Sequence, residues 1–196
     1  MDETLTEPNE LDINRVVAIE PALLQDAEAV TDVHRRTWLA TYPNVEAGIT
    51  EEDIRIRVDG EHDELKPLRL EQWKKSIENT DGSRAVFVAR QDGKVVGFCA
   101  PGIISGQRRI GAIYVLPEAQ SKGLGSQLLE RAVEWHGRDE DIFLRAATYN
   151  EQAISFYKKH GFEETGRLVE DESEAVKLRG AVAIPEVEMV LKAKLD

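Results

Sequence analysis

Cysteine is almost missing from this sequence. Cys99 is the single cysteine among 196 residues, which excludes an intrachain disulfide and a metal site built from cysteine thiolates. It lies in the apolar run "VVGFCA", and a cysteine in such surroundings is more typical of a small core residue than of a nucleophile. We therefore expect no metal in this protein and no covalent enzyme intermediate on Cys99.

Long hydrophobic runs are missing as well. No apolar segment approaches the roughly 18 residues that a helix needs to span a bilayer, so no membrane partner is expected. The opening stretch, "MDETLTEPNE", is acidic and polar, whereas a secretory signal begins with basic residues and then turns apolar. The sequence predicts a disordered acidic tail at residues 1–10, one domain at residues 11–196 and a cytoplasmic protein.

Basic residues are too few to balance the acidic ones. The chain has 25 lysines and arginines against 37 aspartates and glutamates, a net charge of -12. Because non-specific nucleic-acid binding rests on basic residues that neutralise phosphates, nucleic acid is not an expected partner. An acidic surface steers cationic small molecules towards a protein, although solubility alone would also account for it.

The pattern of apolar residues predicts one α+β domain with a mixed sheet. A strand at residues 13–20 comes first, followed by a helix that Asp26 caps and Pro43 ends. Thr50 and Asp53 have the spacing of a capping box, which predicts a second helix. A third helix is expected around Trp73. A chain of 196 residues is long enough to bury a hydrophobic core of its own.

The second half of the chain begins with a strong hairpin signal. In "RAVFVARQDGKVVGFCAPGI" two apolar strands flank Asp92 and Gly93, which favour a type I′ turn. Further strands are expected at residues 110–117, 142–148 and 186–195. A helix separates the first two of these, so we expect them to be parallel and joined by a right-handed crossover. The expected buried face of that helix comprises Leu124, Leu128, Leu129, Ala132 and Val133.

A glycine-rich loop, within "EAQSKGLGSQLLERA", joins the strand at residues 110–117 to this helix. Such a turn gathers free N–H groups and the positive end of the helix dipole, which together stabilise an anion. The Walker sequence is not present, and the dinucleotide fingerprint fails because Leu128 stands in place of its third glycine. Gln120, Gly123 and Gly125 fit a third candidate, the pyrophosphate loop Q/R-x-x-G-x-G/A. A glycine-rich helix start is the alternative.

The sequence resembles the GNAT superfamily of acyl-CoA-dependent N-acyltransferases in several segments that occur in the family's order. "IYVLPEAQSKGLGSQLL" resembles its central strand, pyrophosphate loop and following helix, and "NEQAISFYKKHGFEETG" resembles its second signature. "VVGFCA" and "EVEMVL" match the strands expected before and after. The resemblance covers residues 13–195. It implies a single GNAT-like domain, with a mixed central sheet whose parallel strands splay apart and with helices on its flanks.

The resemblance implies acetyl-CoA as cosubstrate, with its pantetheine arm in the gap between the splayed strands. The backbone around Val115 would pair with the pantetheine like an added strand, and its N–H would polarise the thioester carbonyl. Asn150 is equally well placed to cap the helix that runs from it through His160, which Gly161 would end. The implied cofactor-binding residues are Val115, Gln120, Ser121, Lys122, Gly123, Leu124, Gly125, Ser126 and Asn150.

The resemblance also makes Tyr157 the general acid that protonates the departing thiolate. A phenol with a pKa of about 10 is protonated at neutral pH and can donate; a core tyrosine with a hydrogen-bonded hydroxyl is the alternative. Some relatives use a glutamate base on the strand before this helix, but Arg145 stands at the corresponding position here. Glu118, Tyr114 and His34 are the bases left open.

The expected acceptor is a primary amine of a small molecule or peptide, which attacks the thioester directly in a ternary complex. Its site would be built from the first two helices and their connection, where Trp38 and Tyr42 lie near carboxylates. An ordinary core with an acidic rim would show the same pattern. The alternative function is a non-catalytic acyl-CoA-binding or regulatory module on the same fold, and a nucleotide-binding oxidoreductase is a third. A homodimer is expected only from its frequency among soluble oligomers.

Overall fold

A computed structural model of the chain describes residues 17–120, 123–169 and 181–194. The acidic tail expected at residues 1–10 lies outside the described residues, as does the first half of the strand expected at residues 13–20. Two members of the expected pyrophosphate loop, Ser121 and Lys122, lie outside them too.

Seven strands and five α-helices make up the described part of the chain. In chain order they are β1 (Val17–Pro21), α1 (Ala27–Thr41), α2 (Glu51–Asp59), α3 (Leu65–Ile77), β2 (Phe87–Gln91), β3 (Lys94–Ile104), β4 (Gln107–Val115), α4 (Leu124–His136), β5 (Ile142–Ala147), α5 (Glu151–Lys159), β6 (Glu163–Val169) and β7 (Glu186–Leu191). No helix within these described ranges combines the length and the apolar character that crossing a membrane requires.

All seven strands belong to one sheet, in the order β1-β2-β3-β4-β5-β7-β6. Neighbouring strands are antiparallel except β4 and β5, which are parallel. The α+β domain with a mixed sheet that the sequence predicts is therefore confirmed, and so is the parallel pairing across α4.

Two tight turns connect β2, β3 and β4. Asp92 and Gly93 both have positive φ, 53° and 75°, as the predicted type I′ turn requires. Ser105 and Gly106 repeat this conformation with φ of 52° and 76°. This second turn was not predicted, and the strand expected from residue 110 begins earlier, at Gln107 of β4. The polar stretch at residues 107–109 lacks the apolar alternation by which a strand is recognised.

The predicted helix caps are confirmed at two of three positions. Thr50 and Asp53 form a capping box, in which Thr50 Oγ1 accepts from Asp53 N at 3.1 Å and Asp53 Oδ2 accepts from Thr50 N at 2.8 Å. Asn150 Oδ1 accepts from Ala153 N at 3.0 Å. The cap predicted at Asp26 is wrong. A short 3₁₀ turn runs directly into α1, and the Asp26 carboxylate instead accepts from the backbone N of Leu23 and from Arg90.

The helices cover both faces of the sheet. A Cβ placed on Gly97 of β3 would lie 3.3 Å from Leu128 of α4, whereas the ring of the next residue, Phe98, lies 4.9 Å from Trp73 of α3. Since successive strand residues point to opposite faces, α4 covers one face, and α3 lies on the other with α1, against which it packs. The two faces share a core whose buried members include Val30, Val88, Phe98, Leu128 and Ile142.

The predicted buried face of α4 and the interpretation of Cys99 agree with this core. Leu124, Leu128, Leu129 and Ala132 are buried, while Val133 is partly buried against them. Cys99 is fully buried, and burial raises the pKa of its thiol to about 12. At neutral pH the thiol is therefore protonated and shielded, as expected of a small core residue.

Candidate active site

The parallel strands β4 and β5 separate soon after they meet. They pair at Arg108 with Ile142 and at Arg109 with Phe143, and then continue unpaired towards Val115 and Ala147. Each strand stays in the sheet through its other neighbour, because β3 pairs with β4 as far as Val115 and β7 pairs with β5 as far as Ala147. The splayed central strands expected from the resemblance are therefore present.

The opening between β4 and β5 forms part of a cavity of about 450 Å³. The backbone of residues 110–115 on β4 forms one wall, and residues 145–147 on β5 form the other. Side chains of α1 line one end of the cavity, and residues of α4 and α5 line it as well. The described site residues that line the cavity are Val115, Gln120, Gly123, Leu124, Gly125, Ser126, Asn150 and Tyr157. The structure thus brings together every predicted site residue that it describes.

The start of α4 has backbone geometry suited to binding an anion. Gly123 precedes the helix with φ of 75°, a left-handed conformation that glycine adopts without strain. The N–H groups of the first helical residues have no carbonyl partner within a helix, and they lie at the cavity beside the positive end of the helix dipole. Gln120 has a local role as well, because its Nε2 donates to the carbonyl of Val115 at 3.0 Å and ties the loop to β4.

The end of β4 presents a backbone donor to the opening. Leu116 N donates to Val96 O of β3 at 2.9 Å. Because successive N–H groups of a strand point to opposite edges, the N–H of Val115 points away from β3 and towards the gap. A donor in this position can stabilise negative charge that develops on a bound carbonyl oxygen.

Tyr157 faces the same cavity from α5. Its ring packs edge-on against Phe156 and Phe162, with centroid distances of 5.3 Å and 5.9 Å. Burial raises the pKa of Tyr157, and the neighbouring Tyr114 raises it further, so the phenol keeps its proton at neutral pH and can act as a donor.

Comparisons with known proteins agree with this geometry. Residues 82–164 match the family model described as the acetyltransferase (GNAT) domain. The uncharacterized N-acetyltransferase YuaI of Bacillus subtilis is 28% identical over 173 residues, which cover 84% of this chain and 88% of that protein. The central segment of this chain, residues 82–164, therefore resembles a GNAT acetyltransferase domain.

Some relatives match a smaller share of the chain. An N-alpha-acetyltransferase of Sulfurisphaera tokodaii is 33% identical over 95 residues, 41% of this chain and 57% of that protein. In matches of this kind the chain spans about half the length of the curated relative. The crystal structure of PaiA N-acetyltransferase from Thermoplasma acidophilum in complex with coenzyme A has a TM-score of 0.63 and 23% identity, and covers 90% of this chain and 99% of that chain. It shows a shared fold.

The segment that matches the GNAT family model extends from the turn before β2 to the start of β6, and so includes β4, α4, β5 and α5. The helices α1, α2 and α3 lie outside it.

Two of the three candidate bases do not reach the cavity between β4 and β5. His34 is buried among aromatic rings, including Trp38 and Trp73; burial and the charge of Arg69 lower its pKa to about 3, so it is a weak base. Glu118 lies on the surface in an ion pair with Arg36 at 2.6 Å. Hydrogen bonds from its own backbone and from Arg36 lower its pKa. Neither side chain lines the cavity.

The third candidate, Tyr114, lines the cavity but is held in a hydrogen-bond network. Its hydroxyl accepts from Trp38 Nε1 at 2.9 Å and lies 3.0 Å from the hydroxyl of Tyr42. Burial raises its pKa despite these two bonds, so it is protonated at neutral pH. Arg145, at the position where some relatives carry a glutamate base, also lines the cavity, with Nη1 3.8 Å from Glu186 of β7.

Several cavity residues were missed as site residues. Thr37 and Thr41 of α1 face the opening together with Tyr42, and Gln152, Ala153 and Phe156 line it from α5. The sequence does contain a signal for the threonines, since they lie at helical spacing on the apolar face of α1. Periodicity places them on the inner face but does not distinguish a core position from a cavity wall.

Proposed function

We propose that this protein transfers the acetyl group of acetyl-CoA to a primary amine of a small molecule or peptide. The observation that carries the proposal is the continuous cavity between the separated strands β4 and β5. It connects an anion site at the start of α4 with a backbone donor at Val115 and a protonated phenol at Tyr157. These are the three features that binding a thioester of a diphosphate-containing cofactor and cleaving it require.

The cofactor would lie along the open edge of β4. Its pyrophosphate would accept hydrogen bonds from the N–H groups of the loop and of the first turn of α4, a set in which we include Ser121 and Lys122. The pantetheine amides would pair with the unpaired backbone of residues 111–115 in the manner of an added strand. Asn150 lines the same cavity and would add a contact beside its role as N-cap. The coenzyme A complex of PaiA, which shares this fold, supports the assignment.

The reaction would proceed by direct attack within a ternary complex. The lone pair of the neutral amine forms a bond to the thioester carbonyl carbon, and the oxygen takes up negative charge facing the N–H of Val115. The attacking nitrogen loses its surplus proton to water, the C–S bond breaks and the amide is released, and the CoA thiolate takes the proton of Tyr157. Tyr157 regains a proton from solvent, which completes the cycle without a covalent enzyme intermediate.

The amine would lose its proton to water rather than to a side chain. An alkylammonium with a pKa of about 10.4 is almost wholly protonated at neutral pH, and none of the three candidate bases fits the task. Arg145 lines the cavity, but its positive charge is balanced by Glu186 at 3.8 Å, so we assign it no role in deprotonating the amine.

The acceptor would enter at the α1 end of the cavity. The side chains that line this end include the hydroxyls and aromatic rings of Thr37, Thr41, Tyr42 and Tyr114, which can bind a polar, uncharged amine. A peptide amine is favoured by the name of the S. tokodaii relative, an N-alpha-acetyltransferase. A small-molecule amine would use the same entrance.

The test is release of the CoA thiol from acetyl-CoA in the presence of a panel of amines. The panel contains polyamines, amino sugars, and peptides with a free N-terminus or a lysine. We expect acceptor-dependent release above the hydrolysis background. Tyr157→Phe should lower kcat by about 10²–10⁴-fold, the usual contribution of a general acid, and leave the Kd for CoA unchanged.

A non-catalytic acyl-CoA-binding module would give a different result. The lack of a fitting base side chain in the cavity is the observation that favours it. Such a module would bind CoA but release no thiol with any acceptor, and Tyr157→Phe would change nothing that can be measured. Folded protein that fails to bind CoA at all would contradict both functions.

A further inference from the structure

His160 connects the two helices that meet at the cofactor end of the cavity. It stands directly after α5, and its Nδ1 lies 2.8 Å from the backbone carbonyl of Phe156. On the other side of the ring, Nε2 lies 3.0 Å from the hydroxyl oxygen of Ser126 in the first turn of α4. Ser126 lines the cavity, so the imidazole is one hydrogen bond away from the proposed pyrophosphate site.

The partner of Nδ1 decides which protons the ring carries. A carbonyl oxygen can only accept, so Nδ1 must be the donor in its bond to Phe156. In a neutral imidazole the other nitrogen is then an acceptor. Nε2 of neutral His160 therefore accepts from the Ser126 hydroxyl, and that bond uses the only proton the hydroxyl has.

Protonation of the ring reverses the direction of this bond. In a doubly protonated imidazole both nitrogens donate, so Nε2 donates to Ser126 Oγ and the serine proton becomes free to turn into the cavity. A phosphate oxygen offers only acceptor sites. The neutral ring thus leaves a hydroxyl lone pair facing the anion, whereas the protonated ring leaves a donor.

We propose that His160 is a positioning residue for cofactor binding, which makes the Ser126 hydroxyl a donor to the pyrophosphate only when its ring carries two protons. Cofactor binding would then take up a proton at His160. This inference rests on the proposed function, because it requires the pyrophosphate to lie at the start of α4. It adds that affinity for the cofactor is coupled to pH through a side chain that does not touch the cofactor.

The surroundings of the ring include groups of both signs. The rings of Phe156 and His160 pack with centroids 4.5 Å apart. Charged residues within four positions of Ser126 or His160 along the chain include Glu130, Lys159 and Glu163. A bound pyrophosphate would add two negative charges beside this pair.

The experiment measures affinity for dephospho-CoA by calorimetry between about pH 5.5 and about pH 8.5, the range in which histidine changes charge. Dephospho-CoA keeps the pyrophosphate but lacks the 3′-phosphate, whose second ionisation at a pKa of about 6 would otherwise mimic the effect. We expect about tenfold tighter binding at the acidic end, the size of one charge-assisted hydrogen bond, with net proton uptake when buffers of different ionisation enthalpy are compared.

Two substitutions separate this coupling from a structural role of His160. Ser126→Ala removes the hydroxyl and should bind with an affinity that no longer depends on pH. His160→Gln should also be independent of pH but bind more tightly than Ser126→Ala, because its amide N–H₂ can donate to Ser126 at any pH. His62→Gln, on the exposed turn before α3, is the matched control and should keep the pH dependence of the unmodified protein.

Four outcomes decide the matter. Equal affinity of the unmodified protein across the whole range would overturn the proposal, and so would a pH dependence that Ser126→Ala retains. Failure of folded protein to bind either CoA or dephospho-CoA at any pH would contradict the proposed function, and the inference with it. A pH dependence that both site variants lose and that His62→Gln keeps would support it.

Discussion

The hydroxyl of Tyr42 lies 3.0 Å from the hydroxyl of Tyr114. Tyr42 directly follows α1 and Tyr114 belongs to β4, so the pair joins this helix to the strand that forms a wall of the cavity. Trp38 Nε1 donates to the same Tyr114 oxygen, and Tyr149 donates to the backbone carbonyl of Tyr42 at 2.8 Å. The α1 end of the cavity is therefore held by polar contacts between residues distant in sequence.

Removing the hydroxyl of Tyr114 or of Tyr42 should lower the free energy of unfolding by different amounts. Tyr114→Phe leaves both Trp38 N–H and the Tyr42 hydroxyl without their partner and should lower the free energy of unfolding by about 2–3 kcal/mol. Tyr42→Phe leaves Tyr114 bonded to Trp38 and should cost about 1 kcal/mol. Urea denaturation of both variants and of the double variant measures the coupling. Equal costs for the two single substitutions, or strict additivity, would contradict the network.

Gly97 of β3 is required by the close approach of β4. A Cβ at this position would lie 2.8 Å from the carbonyl oxygen of Tyr114 and 3.1 Å from Val115 Cγ2, and backbone in a paired strand cannot move aside easily. Gly97→Ala should lower the free energy of unfolding by about 1–3 kcal/mol and weaken CoA binding, because it displaces the strand that presents Val115.

Gly111→Ala is the matched control for this substitution. Gly111 lies on β4, and a Cβ there would lie 3.5 Å from Ala100 O, an ordinary contact. Its free energy of unfolding should stay close to that of the unmodified protein. If the two alanine variants are equally stable, the close approach at Gly97 does not matter.

We expect the burial of His34 to make the protein less stable in acid. Its pKa is 6.5 in the unfolded chain and about 3 in the folded protein, so the unfolded state binds the proton first as the pH falls. The contribution of neutral His34 to stability is fully present above pH 6.5 and is lost as the pH falls towards 3. His34→Leu removes this dependence. Between about pH 6 and about pH 4.5 the unmodified protein should lose about 2 kcal/mol more than the variant; parallel losses in urea denaturation would show that His34 does not stay neutral.

We expect the ionisation of Tyr157 to set the upper end of the pH range in which kcat is constant. Because its pKa is raised, the acid form persists beyond the ordinary tyrosine pKa of about 10, and kcat should not decline between about pH 7 and about pH 9.5. The measurement is kcat at saturating acetyl-CoA and amine, corrected for hydrolysis. A decline centred near pH 8.5 that Tyr157→Phe lacks would show that Tyr157 titrates too early to be the acid in question.

Short-range features of the fold could be predicted because a few neighbouring residues decide them. Asp92 and Gly93 favour positive φ by their own chemistry, Thr50 and Asp53 can bond across one turn, and the leucines of α4 recur at helical spacing. The cap predicted at Asp26 failed for the opposite reason. Arg90 lies far along the chain, and its guanidinium offers the carboxylate a stronger partner than a backbone N–H would.

The sequence by itself determined the hairpin at Asp92 and Gly93, the capped helices and the glycine-rich start of α4. Each of these depends on backbone preference and periodicity over a few residues. The tertiary structure alone decided how soon β4 and β5 separate, that His34 is buried while Glu118 lies outside the cavity, and that His160 meets Ser126. Those features depend on burial and on partners distant in the chain, which local preferences do not encode.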